Sequence, residues 1–184
     1  MRYPKEHKER TRQRLIAAGG GHAKRHGFAG SGMDAMAAAA NVTTGSLYRH
    51  FDGKAELLAC VVQGELQHTA ERFAAIVPGD RMAALRALRA YVSKQHVDHP
   101  EQGCPLPSLT AEVARADDRV RTAFQSGLQE LHATLERLTG SGERAWALIA
   151  QSVGAVMIAR AMLDGRLREE VLSAARQEGQ ALLR

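Results

Sequence analysis

A stretch near the N-terminus, residues 31–54, constrains the fold of this chain more than any other part of the sequence. Apolar side chains recur at helical spacing over residues 33–40, which predicts a first short helix. Ser31 followed three residues later by Asp34 is typical of a capping-box start, with Asp in place of the usual Glu or Gln. Asn41 tolerates the left-handed backbone that often follows a helix, so we expect the first helix to end there.

A second short helix is predicted directly after that turn. Thr43 or Thr44 can cap its N-terminus, and Leu47 and Phe51, four residues apart, would anchor it to a core. Because so short a helix is unstable alone, neighbouring helices must hold it with its polar face outward. Two short helices with hydroxyls, an aromatic ring and cations on the outer face are typical of a helix-turn-helix that reads DNA. An ordinary helical hairpin with a solvated polar face has the same spacing, so spacing alone leaves both interpretations open.

A specific motif favours the DNA-reading interpretation. The run Gly45-Ser46-Leu47-Tyr48-x-His50-Phe51-x-x-Lys54, with Gly27-Phe28 and residues 33–40 before it, resembles the DNA-binding domain of the TetR family of bacterial transcriptional repressors. The family usually has glycine where this chain has Asn41. The resemblance implies an all-α fold of about nine helices, with an N-terminal three-helix head that carries the helix-turn-helix and a C-terminal helical body for ligand binding and dimerisation. We place the head in residues 1–53 and the body in residues 54–184.

Candidate DNA contacts lie in and around the second short helix. The amides at its N-terminus suit phosphate, and hydroxyl groups there can donate to phosphate or base edges. The resemblance implies that Tyr48 and His50 contact the DNA backbone and that Lys54 binds a phosphate. Arg49 can read guanine if it faces the groove, or it can point into solvent. The full candidate set is Ser31, Thr43, Thr44, Gly45, Ser46, Tyr48, Arg49, His50 and Lys54.

The charge distribution favours a DNA-binding head. Residues 1–54 contain 10 Lys and Arg against 4 Asp and Glu, so this part has a net charge of +6, whereas the whole chain has +5. The remaining residues contain 15 Lys and Arg against 16 Asp and Glu, which gives −1. A basic head on a nearly neutral body is what phosphate binding requires, although a solvated basic N-terminus would have the same count.

The composition favours helices and a soluble protein. Aromatic residues make up only 4% of the 184 residues and alanine is abundant, which favours closely packed helices over sheet. Two cysteines, Cys60 and Cys104, do not make a disulfide framework. The N-terminus has no apolar signal sequence, and the longest apolar stretch, residues 145–159, is too short to span a membrane. We therefore expect a cytoplasmic protein, with no cofactor and no membrane contact.

The resemblance also implies a small-molecule site between the helices of the body. Ligand and DNA must then favour different conformations of the protein. The segment Gly-Cys-Pro-Leu at residues 103–106 resembles one in a TetR subgroup that responds to electrophiles, quinones or drug-like compounds. Each candidate lining residue could equally be an ordinary core residue. The candidates are Phe73, Tyr91, His96, Cys104, Leu106, Phe124, Trp146 and Met157.

Cys104 is the one candidate with possible reactivity. It lies near a predicted helix start, where a thiolate is favoured, so it could be alkylated or oxidised by an effector. A small buried apolar residue is the other interpretation. His96, His99 and Cys104 could together bind a metal, but the spacing is loose and we expect no metal site. No Ser-His-Asp order, nucleotide loop or zinc-protease motif occurs, so we expect no catalytic residues and no enzyme.

A pair of C-terminal helices is the candidate dimer interface. Small and apolar residues recur at helical spacing there, which fits either the core of one chain or a close helix-helix contact between two chains. The resemblance implies a four-helix interface, and a two-fold dimer would read two half-sites about 34–36 Å apart. The candidate residues are Ala145, Ile149, Ser152, Val156, Ala159, Leu163, Val171, Leu172 and Ala175.

These observations predict a homodimeric repressor that binds a palindromic operator in double-stranded DNA and is released by a small-molecule effector. The alternative is a helix-turn-helix regulator whose body senses a metal, thiol oxidation or a partner protein.

Overall fold

The computed structural model describes residues 5–183, with side chains from residue 8 onward. These residues form ten α-helices and one 3-10 turn, and no strand occurs among them, which confirms the all-α prediction. The helices are α1 (Lys5–His26), α2 (Met33–Ala39), α3 (Thr44–Tyr48), α4 (Lys54–Ala74), α5 (Arg81–Tyr91), α6 (Lys94–Asp98), α7 (Leu106–Val113), α8 (Asp118–Thr139), α9 (Gly142–Ala161) and α10 (Gly165–Leu182), with the 3-10 turn at Pro100–Gln102.

The head is built by α1, α2 and α3. Helix α1 packs on α2, and α2 packs on α3, so the short third helix is held from the side as its length requires. Close packing of α1 on α4 explains an unusual glycine in the first helix. A Cβ at Gly20 would lie 2.2 Å from the Glu65 carboxylate of α4, so the absence of a side chain at residue 20 leaves room for this carboxylate.

Two turn predictions in the head are confirmed and one is wrong. Asn41 has φ of 55°, in the left-handed region that was expected for it. Thr43 caps α3, because its side-chain oxygen accepts a hydrogen bond from the amide of Ser46 at 3.2 Å. The capping box at Ser31 does not form. The Ser31 hydroxyl instead donates to the carbonyl oxygen of Gly27 at 2.5 Å, just after the end of α1, and the residue before α2 is Gly32, which has no capping side chain.

Helix α4 runs from the head into the body. It packs against α1 on the head side and lies along α8 on the body side, and its apolar stripe is fully buried at Leu57, Val61 and Leu66. A single rigid element therefore contacts both parts of the chain.

The sequence predicted one helix over residues 80–97, but the structure has two. Helix α5 ends at Tyr91 and α6 begins at Lys94. Ser93 causes this break, because its hydroxyl accepts a hydrogen bond from the amide of His96 at 3.2 Å and so caps a new helix. The break brings His96 inward, where it is buried.

The last two helices, α9 and α10, pack against each other and against α8 and α5. The amide nitrogen of the Gln151 side chain donates to the carbonyl oxygen of Ala175 at 2.7 Å, which ties the pair together. Within residues 5–183, we find no helix that is long and apolar enough to cross a membrane.

Candidate functional site

Helix α3 presents an exposed polar face on a buried apolar anchor. Leu47 and Phe51 are 0% and 1% exposed, which confirms the predicted anchors. Tyr48, by contrast, is 57% exposed, although it is one of the largest side chains in the head. Arg49 and Gly45 are also exposed, and no atom lies within 4 Å of a Cβ placed on Gly45. This face is open to a partner as large as a DNA backbone.

The hydroxyl groups at the start of α3 already have partners within the head. Thr43 caps the helix, and the Thr44 hydroxyl donates to the carboxylate of Asp34 on α2 at 2.6 Å. These bonds fix the angle between the two short helices. Thr43 and Thr44 therefore position α3, and Thr43, Thr44 and Ser46 stay predicted DNA contacts.

Two other candidate DNA contacts have structural roles. Ser31 is fully buried and its hydroxyl is bonded to Gly27, so we remove Ser31 from the candidate set. The Lys54 ammonium donates to the carbonyl oxygen of Phe28 at 2.7 Å, which braces the start of α4 against the end of α1. Lys54 is still exposed and keeps two further N–H donors, so it stays a candidate.

Basic side chains of α1 lie beside α3. The pKa of His50 is lowered, first because it is partly buried and then because Lys8, Arg12 and Arg49 surround it with positive charge. The Arg12 guanidinium also lies over the ring of Phe51, with 4.9 Å from its central carbon to the ring centroid. The N-terminal half of α1 and the exposed side of α3 thus form one positively charged surface, which we call the basic face.

The body contains a cavity of about 530 Å³ between α4, α5, α6 and the 3-10 turn. This volume is within the usual range for small-molecule sites. Four predicted ligand residues meet at its wall: Phe73, Tyr91, His96 and Cys104. The remaining lining residues are Thr69, Arg72, Ala87, Ala90, Ser93, Gln95, His99, Gln102 and Gly103.

The other four predicted ligand residues do not line this cavity. Leu106 lines only a neighbouring space of about 30 Å³, too small for an organic ligand. Phe124 packs on the general core, and Trp146 stacks on His132 with ring centroids 4.2 Å apart. Met157 is 38% exposed on α9. These side chains belong to other faces of their helices.

His96 organises one wall of the cavity. The amide of Cys104 donates to its Nε2 at 3.1 Å, so Nε2 carries no proton and Nδ1 must donate to the carbonyl oxygen of Tyr91 at 2.7 Å. Burial lowers the pKa of His96, so the neutral ring is favoured. A Cβ at Gly103 would lie 2.0 Å from this ring, so only glycine fits beside it.

Arg160 of α9 supports the same wall from behind. Its guanidinium donates to the carbonyl oxygens of His96 (2.8 Å) and Val97 (3.2 Å) and to the hydroxyl of Ser108 (2.8 Å). Burial lowers its pKa. This one side chain therefore joins α6, α7 and α9.

Cys104 is not an activated thiol in this structure. It is 3% exposed, and burial raises its pKa, although contacts with Tyr91 and the backbone of Leu106 act in the opposite direction. The expectation of a favoured thiolate is therefore wrong, because desolvation outweighs the helix start. Among residues 5–183, no group of three His, Cys, Asp or Glu side chains is placed to hold a metal, and both ring nitrogens of His96 are already bonded.

Most of the predicted dimer residues face the core of their own chain. Ala145, Ser152, Val156, Ala159 and Leu172 are buried, with Val156 and Ala159 at 0% exposure, so they are core residues. Ile149, Val171 and Ala175 are half-buried against the same core. Of the predicted set, only Leu163 is exposed, at 98%. For the five buried positions, the small-residue stripe is therefore part of the core of one chain, which was the alternative interpretation of its spacing.

A different face of α9 and α10 is apolar and exposed. It comprises Trp146, Met157, Ile158, Leu163 and Leu167, each between 38% and 98% exposed, and we call it the apolar face. Except for Leu163, these residues lie outside the predicted stripe, so a search for the most regular apolar spacing passes over them. Isolated exposed apolar residues are common, but several on one helix pair indicate a contact surface.

The head is bonded to the cavity wall. The Lys24 ammonium of α1 pairs with the Glu65 carboxylate of α4 at 2.5 Å and donates to the carbonyl oxygen of Gly103 at 2.9 Å. Arg25 pairs with Glu101 at 2.9 Å. These contacts join α1 to the 3-10 turn and to the residue after it.

Glu112 of α7 makes a second connection. Its carboxylate accepts hydrogen bonds from the amides of Phe28 (2.5 Å) and Ala29 (3.3 Å), directly after α1. A movement of α7 or of the 3-10 turn would therefore reach the head through α1.

Comparison with known proteins identifies the head. Residues 15–61 match the family model for bacterial regulatory proteins of the tetR family, and this range covers the end of the basic half of α1, the helix-turn-helix and the first part of α4. The head of this chain is therefore similar to the tetR family of bacterial regulatory proteins. The HTH-type transcriptional repressor DhaR of Mycobacterium sp. (strain GP1) is 27% identical over 112 residues, which are 61% of this chain and 57% of that repressor.

Solved TetR-family structures share the whole fold. Escherichia coli NemR in its reduced form superposes with a TM-score of 0.74 at 22% identity, over 91% of this chain and 95% of that one. A TetR regulator from Chloroflexus aurantiacus J-10-FL superposes with a TM-score of 0.75 at 22% identity, over 96% of this chain and 95% of that one. The similarity of fold therefore extends over the helical body as well as the head.

Proposed function

We propose that this chain is a cytoplasmic, homodimeric repressor that binds a palindromic operator and leaves it when a small molecule occupies the cavity. The head of residues 1–53 would bind DNA and the body of residues 54–184 would bind ligand and partner. Gly103 and Cys104, the first two residues of the Gly-Cys-Pro-Leu segment, line the cavity, which supports a sensing role like that of the resembled subgroup.

The observation that carries the DNA-binding proposal is the basic face. Tyr48 stands out from a helix whose opposite side is fully buried, and Lys8, Arg12 and Arg49 lie around His50 beside it. A solvated surface does not need a large exposed aromatic ring, whereas a DNA backbone can pack on it. Arg49 is free to enter a groove, which supports the groove-reading alternative for this residue.

The apolar face supports the homodimer. Trp146, Ile158 and Leu163 are 44%, 51% and 98% exposed in the single chain. Burying them against the same face of a second copy would remove apolar surface from water, and a two-fold pair of heads could then contact two half-sites. We therefore propose this face as the interface, in place of the buried stripe.

The contacts of α1 support coupling between ligand and DNA. The cavity wall at Gly103 is bonded to Lys24, and the neighbouring Glu101 to Arg25. A ligand that shifts this wall would change the direction of α1 and so the spacing of the two heads. Ligand and DNA would then favour different orientations of the head, which is the condition for release.

A selection experiment tests this function. The purified protein is incubated with random duplex DNA, bound fragments are recovered and sequenced, and its mass in solution is measured by sedimentation. We expect a two-fold symmetric site and a dimer. A single chain with no sequence preference would contradict the proposal. A metal-sensing or thiol-sensing body is less well supported, because His96 has no free nitrogen and the Cys104 thiol is buried.

A further inference from the structure

The cavity has a positive electrostatic character. Its wall carries Arg72 and two histidines, but none of its lining residues is acidic. Three acidic residues next to the wall pair with other cations: Glu65 with Lys24, Glu101 with Arg25 and Asp98 with Arg168. A fourth, Glu71, is exposed on α4, accepts a hydrogen bond from Gln67 and does not line the cavity.

Arg72 is the cation that remains without an anion. It lies on α4 at the wall of the cavity, and its guanidinium forms no ion pair with any residue in the part of the chain that the structure describes. An arginine presents a planar fork of N–H donors that matches a carboxylate. Arg72 is thus placed to bind an anionic group at one end of the cavity.

A second observation points to a ligand at the same wall. The Tyr91 hydroxyl is buried and has no nitrogen or oxygen partner among the described residues. Its polar neighbour is the Cys104 thiol, which accepts hydrogen bonds only weakly, whereas most buried polar groups have a good partner. Burial raises the pKa of Tyr91 well above its ordinary value, so the hydroxyl keeps its proton and can donate. A ligand oxygen would satisfy it.

Aromatic rings form the apolar part of the wall. The rings of Phe73 and Tyr91 lie 6.3 Å apart and are tilted by 45°, and the ring of Tyr91 meets that of His96 edge-on at 4.7 Å. His96 is neutral and both of its nitrogens are bonded, so it offers the ligand only its ring surface. Such walls suit a flat apolar body.

We infer that the cavity binds an aromatic carboxylate, with its ring against Phe73 and Tyr91, its anionic group at Arg72, and an oxygen at the Tyr91 hydroxyl. This inference rests on the proposed ligand site and adds the chemical class of the effector. A cationic or purely apolar effector is disfavoured, because the first would face Arg72 and the second would leave the Tyr91 hydroxyl unsatisfied.

The test compares three compounds of one shape: naphthoate, naphthylmethanol and naphthylmethylamine. Their binding to the full chain is measured by titration calorimetry without DNA. We expect naphthoate to bind about tenfold more tightly than the alcohol, and the amine to bind weakest. Arg72→Met keeps the length of the side chain and should bring naphthoate to the affinity of the alcohol. Arg89→Met, at an exposed arginine of α5 outside the cavity wall, should leave the difference unchanged.

The second variant, Tyr91→Phe, should weaken the binding of both naphthoate and the alcohol about fivefold, since each loses a donor. The inference is overturned if none of the three compounds binds, if the amine or the alcohol binds as tightly as naphthoate, or if Arg72→Met leaves naphthoate binding intact.

Operator affinity is measured separately with the same compounds. Binding of naphthoate through Arg72 with no change in operator affinity would support the ligand class and contradict the proposed release. Release from DNA by the neutral alcohol alone would contradict the ligand class and leave the proposed release standing.

Discussion

The ammonium group of Lys24 lies 2.9 Å from the carbonyl oxygen of Gly103, 79 residues further along the chain. The same ammonium pairs with Glu65, and the Lys24 side chain is only 4% exposed. One buried cation therefore joins the first helix of the head, the long helix α4 and the cavity wall. It is a direct connection between the cavity wall and the head.

Replacing this cation should separate ligand binding from DNA release. Lys24→Met leaves the Glu65 carboxylate buried without its partner, so the free energy of unfolding should fall by about 3 kcal/mol. The double variant Lys24→Met, Glu65→Gln removes the unpaired charge and should recover most of that loss. Both variants lack the hydrogen bond from residue 24 to the carbonyl oxygen of Gly103. Ligand binding should therefore change operator affinity less in both variants than in the original chain. Undiminished release in the double variant would exclude Lys24 from the coupling.

Removing the side chains of Tyr48 and Lys54 should weaken DNA binding. Tyr48→Ala with Lys54→Ala should lower affinity for operator and for unrelated duplex alike, because both side chains are proposed to contact the backbone. The slope of log affinity against log salt should flatten by about one unit for the lost phosphate contact of Lys54. Arg86→Ala, at an exposed arginine of α5, is the control of equal charge. An unchanged salt slope would remove Lys54 from the contact list.

Charged residues on the apolar face should separate the dimer. Ile158→Glu with Leu167→Glu places charges at positions that are 51% and 43% exposed in the single chain, so each chain should still fold. In a paired face these charges would be buried and would oppose each other. Sedimentation should show a monomer, while Val77→Glu, at a position that is 68% exposed on another part of the body, should stay a dimer. Dimers of the double variant would place the interface elsewhere.

The buried histidine of the cavity wall should make stability depend on pH. The pKa of His96 in the folded chain lies below its ordinary value of 6.5 because of burial. As the pH falls below 6.5, the unfolded chain binds a proton that the folded chain does not, so the free energy of unfolding should decline until the folded pKa is reached. His96→Gln should remove its share of this slope between those pH values.

His50 has a lowered pKa as well, so His50→Gln is the comparison for that experiment. Each single variant should remove its own part of the pH dependence and the double variant should remove both. A slope that is the same in His96→Gln as in the original chain would show that this ring takes up its proton at the same pH in the folded and unfolded chains.

The turn residue Asn41 should tolerate glycine but not alanine. Its φ of 55° lies in the left-handed region, where a residue with a Cβ is strained unless its side chain is Asn or Asp. Asn41→Ala should lower the free energy of unfolding by about 1 kcal/mol, whereas Asn41→Gly should be nearly neutral. Chemical denaturation measures both, and a harmless Asn41→Ala would show that the turn adjusts to another conformation.

The parts of the fold that sequence predicted well are those with local signals. The cap at Thr43, the left-handed turn at Asn41 and the anchors Leu47 and Phe51 follow from residue type and spacing alone, and the structure has all of them. Ser31 shows the limit of this reasoning. Its sequence context fits a capping box, but its hydroxyl satisfies a carbonyl of the preceding helix, which only the packing of α1 on α2 brings within reach.

The body was harder to predict because its surfaces depend on which side of a helix meets the core. Val156 and Leu163 belong to one regular stripe in sequence, yet the first is 0% exposed and the second 98%, because α9 ends at Ala161. Likewise, Arg72 has no sequence signal of its own beside Phe73. Its importance comes from its place at a cavity wall that has no acidic lining residue, which is a property of the assembled cavity.

Arg160 gives the proposed dimer a consequence of its own. It extends from α9, next to the apolar face, and bonds to the backbone of α6 at the cavity wall. If two copies pair through α9, Arg160 connects the cavity wall of each subunit to the dimer interface. Ligand binding at one site would then change the interface that both subunits share. The second effector molecule would therefore bind with a different affinity from the first, and the binding curve would be steeper or shallower than that of two independent sites.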